Sequence, residues 1–241
     1  MTNTKTVPYK AMILAAGLGT RLRPITNSIP KALVKVDGST LLEGAIRHLA
    51  GFGIQEIIIN VHHFADQILE YLVHNNNFGL DIAISDERDQ LLDTGGGLKK
   101  ASWFFEGKTP FVVRNVDVIS HMDLNAMMEN HIRSGAIATL AVRNRETSRY
   151  FIFNTDYRLC GWINNKTGEK IMVVESPGIE ELLAFSGIQI LNPELLGLIT
   201  EEGKFSLVDL YLRLAKDQKI NGYLDSSSIW KDVGTLPQPV G

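Results

Sequence analysis

One cysteine, Cys160, occurs in 241 residues. An internal disulfide is therefore excluded, as is a zinc site built on several thiolates. No apolar run approaches the roughly 20 residues that a membrane-spanning helix requires. The stretch Ala11 to Ala16 is also too short for a signal-peptide core, so no membrane partner and a cytoplasmic location are expected. Basic residues are not in excess: 24 Lys and Arg stand against 27 Asp and Glu, a net charge of −3. A non-specific nucleic-acid binder needs a basic surface, so that class is set aside. Apolar residues are not scarce. They make up 44% of the chain, enough to bury a core and to exclude disorder. The most telling absence is local: from Met1 to Val36 there is no acidic residue at all.

What is present is an alternation. Met12 to Leu14, Ile57 to Ile59, Ile82 to Ile84 and Phe111 to Val113 are short apolar runs, the pattern of strands covered on both faces. Amphipathic helices lie between them. Leu42, Ala45, Ile46 and Leu49 share one face, behind a capping box of Thr40 and Glu43. Ala65, Ile68, Leu69 and Leu72 repeat the spacing, as do Leu124, Met127, Met128 and His131 behind a cap at Asp123. Such alternation predicts right-handed βαβ units and a largely parallel sheet. After about Gly135 the runs Ala136 to Val142, Tyr150 to Asn154 and Leu183 to Leu191 read as strands, with turns at Asn164-Asn165 and Ser176-Pro177-Gly178. A last helix, Leu207 to Ala215, follows Ser206. No linker, low-complexity tract or internal repeat divides the chain. The expected fold is α/β, a mostly parallel, Rossmann-like three-layer sheet with a mixed C-terminal half. It forms one domain over 1–241, with halves of about 8–120 and 121–241. Ligands of open α/β sheets lie at the carboxyl ends of the strands, which directs attention to the loops after Leu14, Ser85, Arg114 and Ile229.

The first of these loops, Leu14-Ala15-Ala16-Gly17-Leu18-Gly19-Thr20-Arg21-Leu22-Arg23-Pro24, carries the most information. Its glycines let the backbone bend around a ligand and present N–H groups to it. The third glycine of a dinucleotide fingerprint is missing at Leu22, and no Walker Gly-Lys-Ser/Thr follows. Arg21, Arg23, Lys31 and Lys35 make the region basic, which suits a triphosphate, although a lone G-x-G also occurs in ordinary tight turns.

That loop, with Thr26 and Pro30-Lys31-x-Leu33 after it, resembles the signature of the sugar-1-phosphate nucleotidyltransferases. The resemblance runs on through Thr94-Gly95-Gly96-Gly97, Asn115-x-Asp117 and Trp230-x-Asp232-Val233-Gly234-Thr235, nearly the whole chain. Within the family the chain is most similar to the small uridylyltransferases of N-acetylmuramate 1-phosphate, which share the Thr-Gly-Gly-Gly run and a Phe-Ser-Gly-Ile segment like Phe185 to Ile188. The implied fold is the nucleotide-diphospho-sugar transferase type, with a sugar-binding C-terminal half.

The reaction so implied is attack of a sugar phosphate oxygen on the α-phosphorus of a nucleoside triphosphate. A phosphate monoester has a second pKa near 6 and is about nine-tenths dianionic at neutral pH, so the nucleophile needs no general base. The task is to hold two polyanions in line and offset their repulsion, which calls for Mg²⁺ on carboxylates and for Arg and Lys on the phosphates. Asp117 follows an apolar strand and Asp232 precedes the turn at Gly234; alone, each is more often a turn former or cap. The resemblance makes Asp117 and Asp232 the magnesium ligands, with Arg21, Lys31 and Asp117 catalytic. It places Leu14, Ala15, Ala16, Gly17, Gly19, Thr20, Arg21, Lys31, Thr94 and Gly95 around the nucleotide, with Glu87 a further candidate. Thr94 to Gly97 are read as opening a helix over Leu98 to Phe104, against which a flat base could lie. For the sugar phosphate the candidates are Asn115, Arg149, Phe185, Ser186 and Gly187, with Arg149 or Lys170 available for a lactyl group. Asp123, Glu175 and Glu180 read as caps or solvated residues. Neither His62 nor His63 is assigned to a metal, because neighbours on a strand point to opposite faces.

Two features depart from the family pattern. Val116 stands where a glycine usually precedes the first metal-binding Asp, and its β-branched side chain is expected to crowd the site. Pro237 and Pro239 make a regular helix unfavourable in the tail. The readings carried forward are a uridylyltransferase for N-acetylmuramate 1-phosphate, a mannose-1-phosphate guanylyltransferase or cytidylyltransferase, and, from another class, a non-catalytic nucleotide-binding regulatory subunit. Monomer and homodimer both remain open. A nicotinamide oxidoreductase fails on the missing glycine and on the lack of an acid before Asp37.

Overall fold

Short apolar runs form the middle of a mixed sheet because both of their faces find apolar cover. The computed structural model describes residues 9–175 and 178–235. In chain order the strands are β1 (Lys10–Leu14), β2 (Lys35–Val36), β3 (Ser39–Thr40), β4 (Glu56–Val61), β5 (Asp81–Asp86), β6 (Phe111–Asn115) and β7 (Val118–Ser120). They continue as β8 (Ala138–Arg143), β9 (Arg149–Phe153), β10 (Leu159–Asn164), β11 (Glu169–Met172), β12 (Glu181–Leu191), β13 (Ile220–Leu224) and β14 (Trp230–Asp232). The helices are α1 (Leu41–Gly51), α2 (Ala65–His74), α3 (Asp93–Lys100), α4 (Leu124–Ser134) and α5 (Leu207–Leu214).

The main sheet runs β11-β10-β9-β12-β6-β1-β4-β5, with β8 joined to β12 and β13. β6, β1, β4 and β5 are parallel neighbours, whereas β12 is antiparallel to β6, β8 and β9. The period-2 geometry of a strand sorts the core into two layers. Ala11, Ile13, Ile57, Ile59 and Val112 face a cluster that includes α1, α2 and α4. Met12, Ile58, Phe111 and Val113 face the opposite cluster, with Leu98 of α3 and Leu207, Leu210, Tyr211 and Leu214 of α5. This is the expected three-layer α/β fold with a mixed C-terminal part. No helix among the described residues is long and apolar enough to cross a membrane.

Local signals behave mostly as expected. Asp123 caps α4 by accepting from the N–H groups of Asn125 and Ala126, and Ser206 caps α5 by accepting from Asp209 N. Only half of the predicted capping box forms at α1. Thr40 Oγ1 accepts from Glu43 N at 3.0 Å, while the Glu43 carboxylate turns to Arg47 and Tyr71. The helix expected over Leu98 to Phe104 begins earlier, at Asp93, and stops at Lys100; Ser102–Phe104 is a separate 3-10 turn. The turn at Ser176-Pro177 and the tail from Leu236 onward lie outside the described residues.

Candidate functional site

A cavity of about 390 Å³ opens at the carboxyl ends of β1 and β6. One wall is the loop Ala15 to Leu22, and the opposite side carries Leu91, Asp93, Thr94 and Lys204. Asn60, Asn115, Val116, Asp117 and Lys31 also line it. Gly17 lies on the open side: nothing stands within 4 Å of where its Cβ would be. Gly19 has a different reason to be glycine. Its φ is +62°, and a Cβ there would lie 2.9 Å from Thr26 Cγ2 and 3.0 Å from Lys31 Cβ. The loop is thereby folded onto the segment that carries Lys31, and Thr26 Oγ1 fastens it by donating to Gly19 O at 2.8 Å.

Four charged residues converge beside this cavity. Lys31 is 8% exposed and its Nζ is ion-paired with Asp117 Oδ2. β7 and β14 form a two-stranded ribbon in which Asp232 faces Val118, and Val233 N donates to Asp117 O at 3.0 Å. Two carboxylates 115 positions apart in the chain are thus brought to one end of a short ladder. Gly234 N donates to Asp232 Oδ1 at 2.7 Å. The point where a Gly234 Cβ would stand is 2.9 Å from each of Arg21 Nη2, Lys31 Nζ and Asp232 Oδ1. Cations and carboxylates therefore meet around one backbone atom that carries no side chain.

Behind the loop a buried polar chain sets its position. Asn60, at the end of β4, accepts from Ala15 N through Oδ1 at 2.7 Å and donates through Nδ2 to Glu87 Oε1 at 2.7 Å. Glu87 is fully buried, and its Oε2 accepts from Leu92 N at 3.2 Å. Burial pushes the Glu87 carboxyl above its ordinary pKa, while the hydrogen bonds from Asn60 and Leu92 act against that shift. Gly97 leaves room for this chain, since a Cβ there would lie 2.7 Å from Glu87 Oε1 and 2.8 Å from Asn60 Nδ2.

On the other side of Asp117 the long strand β12 changes register between Phe185 and Gln189. Gly187, at φ +78°, brings the backbone so close to β7 that a Cβ would lie 2.6 Å from Val118 Cγ2 and 3.3 Å from Asn115 Nδ2. Trp230 Nε1 donates to Ser186 O at 2.9 Å, joining this segment to the strand that bears Asp232. Phe185 packs edge-on against Phe151.

Residues 10–238 match the Nucleotidyl transferase family. The chain belongs to that family. The nucleotidyltransferase is 34% identical over 235 residues to the N-acetylmuramate alpha-1-phosphate uridylyltransferase of Caulobacter vibrioides, covering 94% of this chain and 92% of that protein. It is 31% identical over 232 residues to a mannose-1-phosphate guanyltransferase of Yarrowia lipolytica, covering 93% of this chain and 60% of that protein. A UDP-glucose pyrophosphorylase solved with UDP-glucose has the same fold, with a TM-score of 0.77 at 18% identity over 95% of this chain and 94% of that one.

The structure places several of the expected side chains away from the cavity. Glu87 does not reach the cavity; it is the buried support of Asn60. Gly95 also lies off the cavity wall. It and Gly96 sit inside α3, where a Cβ at Gly95 would strike the Phe205 ring at 2.4 Å and one at Gly96 would strike Gly203 O at 2.3 Å. Those glycines serve close packing against the 203–205 segment, whereas Thr94 does line the cavity. Arg149 is exposed at the start of β9, opposite Asn164, and is not gathered with the other candidates. Lys170 pairs with Glu180 at 2.8 Å. Val116 is 4% exposed and packs into the core layer shared with α1, while it also lines the cavity wall beside Asp117. His62 Nδ1 meets Glu87 O at 2.7 Å, and the His63 ring lies against Phe64.

Asn60, Leu91, Asp93 and Lys204 line the cavity and escaped the sequence reading, as did Arg145 near Phe185. Asn60, an amide closing an apolar strand at its ligand-facing end, could have been found by that position alone. Lys204 lies in a loop with no pattern. Arg145 sits in a stretch with Arg143 and Arg149, and only the path of the loop tells them apart.

Proposed function

We propose that this nucleotidyltransferase moves a nucleotidyl group from a nucleoside triphosphate, UTP in the favoured reading, to a sugar 1-phosphate, N-acetylmuramate 1-phosphate in the favoured reading. The observation that carries the proposal is the convergence of Arg21, Lys31 and Asp232 around Gly234, with Asp117 ion-paired to Lys31. Binding alone does not demand two cations and two carboxylates at one point. A phosphate oxygen of the sugar phosphate forms a bond to the α-phosphorus while the bond to the bridging oxygen of the β-phosphate breaks. Pyrophosphate leaves with that oxygen's electron pair. No proton has to move, because the nucleophile is already dianionic. Arg21 and Lys31 hold the triphosphate and offset charge as the pentavalent arrangement forms. The N–H groups of the Gly17–Gly19 turn face the phosphates. The sheet's C-terminal part, with Asn115 and Phe185 to Gly187, receives the acceptor.

The donor set also fits Mg²⁺. Asp117, in the turn before β7, and Asp232, on β14, offer hard oxygen ligands, and the Lys31 ammonium on Asp117 Oδ2 stands where a cation is favoured. Two carboxylates leave coordination positions for phosphate oxygens and water, as Mg²⁺ prefers. When bound there, the ion supplies charge neutralisation between the two substrates.

The test is pyrophosphate release with and without Mg²⁺ across UTP, GTP, CTP, dTTP and ATP, each with N-acetylmuramate, N-acetylglucosamine, glucose and mannose 1-phosphates. A UTP and N-acetylmuramate 1-phosphate signal that Asp117→Asn abolishes is expected. Turnover with GTP and mannose 1-phosphate, the reading suggested by the Yarrowia relative's name of mannose-1-phosphate guanyltransferase, would keep the chemistry and replace the substrates. Nucleotide binding with no release across the panel would overturn the enzymatic reading in favour of a regulatory subunit.

A further inference from the structure

The geometry points to Arg145 as the residue that grips the phosphate of the acceptor sugar phosphate, an inference that rests on the transfer reading above. Two arginines flank the Trp230 ring, Arg143 at 5.9 Å and Arg145 at 4.5 Å from its centre. They differ in what they hold. Arg143 is engaged within the protein: its Nη2 reaches Asp225 Oδ2 at 3.2 Å and Ser228 O at 2.6 Å, and its Nε donates to Asp225 O at 3.0 Å. Arg145 has no ion pair among the described residues. Its Nη2 donates to Phe185 O at 3.2 Å and its Nη1 makes a long bond to Glu146 O at 3.4 Å, while its buried Nε has no partner. A half-buried guanidinium whose hydrogen-bond partners are neutral carbonyls, balanced only by the field of Asp232, has room for a direct anionic partner, because burying a cation without a close anion is costly.

The surroundings say which anion completes it. Arg145 lies over the Phe185–Ser186 segment, which Gly187 continues to within contact of Asn115 on the cavity wall. Its ring partner Trp230 is two residues before Asp232 on β14, and the Asp232 carboxylate is the acid whose field reaches it. Arg21 and Lys31 stand on the triphosphate side of the same carboxylate. A dianionic acceptor approaching from the β12 side therefore meets one cation, and stacking on Trp230 fixes the plane of its fork. Guanidinium geometry suits two phosphate oxygens at once, leaving the third free to attack. Arg149, the other arginine of this stretch, is exposed and offers no comparable arrangement.

The experiment compares wild type with Arg145→Gln, Arg145→Lys and Arg149→Gln. Pyrophosphate release is measured against sugar phosphate and triphosphate concentration for whichever pair turns over. In parallel, calorimetry follows binding of N-acetylmuramate 1-phosphate, N-acetylglucosamine 1-phosphate and unphosphorylated N-acetylmuramate without triphosphate. Arg145→Gln should raise KM for the sugar phosphate about 10- to 100-fold and leave the triphosphate KM within twofold. Arg145→Lys should recover part of the loss, and Arg149→Gln should match wild type. Both phosphorylated sugars should lose affinity alike. A loss confined to the muramate compound would assign Arg145 to the lactyl carboxylate and overturn the proposal, as would an unchanged sugar phosphate KM with thermal stability intact. Should the wild type release no pyrophosphate yet bind both sugar phosphates through Arg145, the transfer reading fails while this assignment stands. Wild-type binding no tighter with the phosphate than without it overturns the assignment itself.

Discussion

Replacing Asn60 by alanine tests whether the glycine-rich loop is held from behind. The side chain makes two buried hydrogen bonds of 2.7 Å, one from Ala15 N and one to Glu87 Oε1, and is itself 2% exposed. Alanine removes both and strands a backbone N–H and one oxygen of a buried carboxyl. Each stranded group costs about 1–3 kcal/mol. Asn60 borders the cavity, so water can enter to serve one of them, and a total of about 2–4 kcal/mol follows. For a chain of this size that is a melting temperature lowered by roughly 4–16 °C. The loop loses the tether that sets its first N–H, so triphosphate affinity should fall with stability. The assays are thermal or urea unfolding at pH 7 and equilibrium binding of the triphosphate. Asn60→Asp sharpens the test. The new carboxylate still accepts from Ala15 N but faces Glu87, whose carboxyl is already pushed up by burial. The two must share a proton, so Asn60→Asp should be markedly more stable at pH 5 than at pH 8, and more so than wild type is. An alanine variant that melts within 2 °C of wild type and binds triphosphate normally would refute the tether, as would an aspartate variant with no added pH dependence.

Two further outcomes follow from other parts of the structure. Gly234→Ala places a methyl 2.9 Å from Arg21 Nη2, Lys31 Nζ and Asp232 Oδ1, groups at side-chain ends that can shift without unfolding the chain. Turnover should drop about 100-fold with melting essentially unchanged, and near-normal turnover would sink the claim that the groups work at that spacing. His48 donates through Nε2 to Met122 O at 3.1 Å and accepts at Nδ1 from Arg114 Nη1 at 2.9 Å; burial, then the Arg114 charge, hold its pKa down at about 4. The unfolded chain binds that proton at a higher pH than the folded one, so stability should be lost as pH falls from about 6.5 to about 4, by up to about 3 kcal/mol. Urea midpoints against pH should show a shallower acid loss in His48→Gln; equal slopes in both proteins would refute it.

The legible parts of this fold are those in which burial is two-sided or periodic. Ile57 to Ile59 and Phe111 to Val113 read directly as covered strands, and Asp123 and Ser206 announced their helices. β11 did not read as a strand, because Glu169 to Met172 is a mostly exposed edge with no alternation to see. The ribbon of β7 and β14 was hidden for a different reason. Each strand is three residues long, and its stability comes from a partner more than 100 positions away. Arg21, Lys31, Asp117 and Asp232 were singled out by the family resemblance; their chemistry alone left each Asp open as a turn former or cap.

α3 shows why the nucleotide-side glycines were misread, and what they contribute. Three glycines in a row cost a helix about 1 kcal/mol each relative to alanine, so local propensity argues for a loop ending at Gly97. The helix forms nonetheless. Gly95 and Gly96 let the 203–205 segment approach until both N–H groups reach Phe205 O, at 3.0 and 3.3 Å, and Gly97 leaves the space that Glu87 and Asn60 occupy. Any side chain at these positions would separate α3 from one neighbour or the other. Glu87 then joins the start of α3, through Leu92 N, to the loop after β1, through Asn60 and Ala15 N. The two walls of the cavity are consequently tied by one buried chain of hydrogen bonds. A substitution in either wall acts on the other through Glu87, a residue that never touches the cavity.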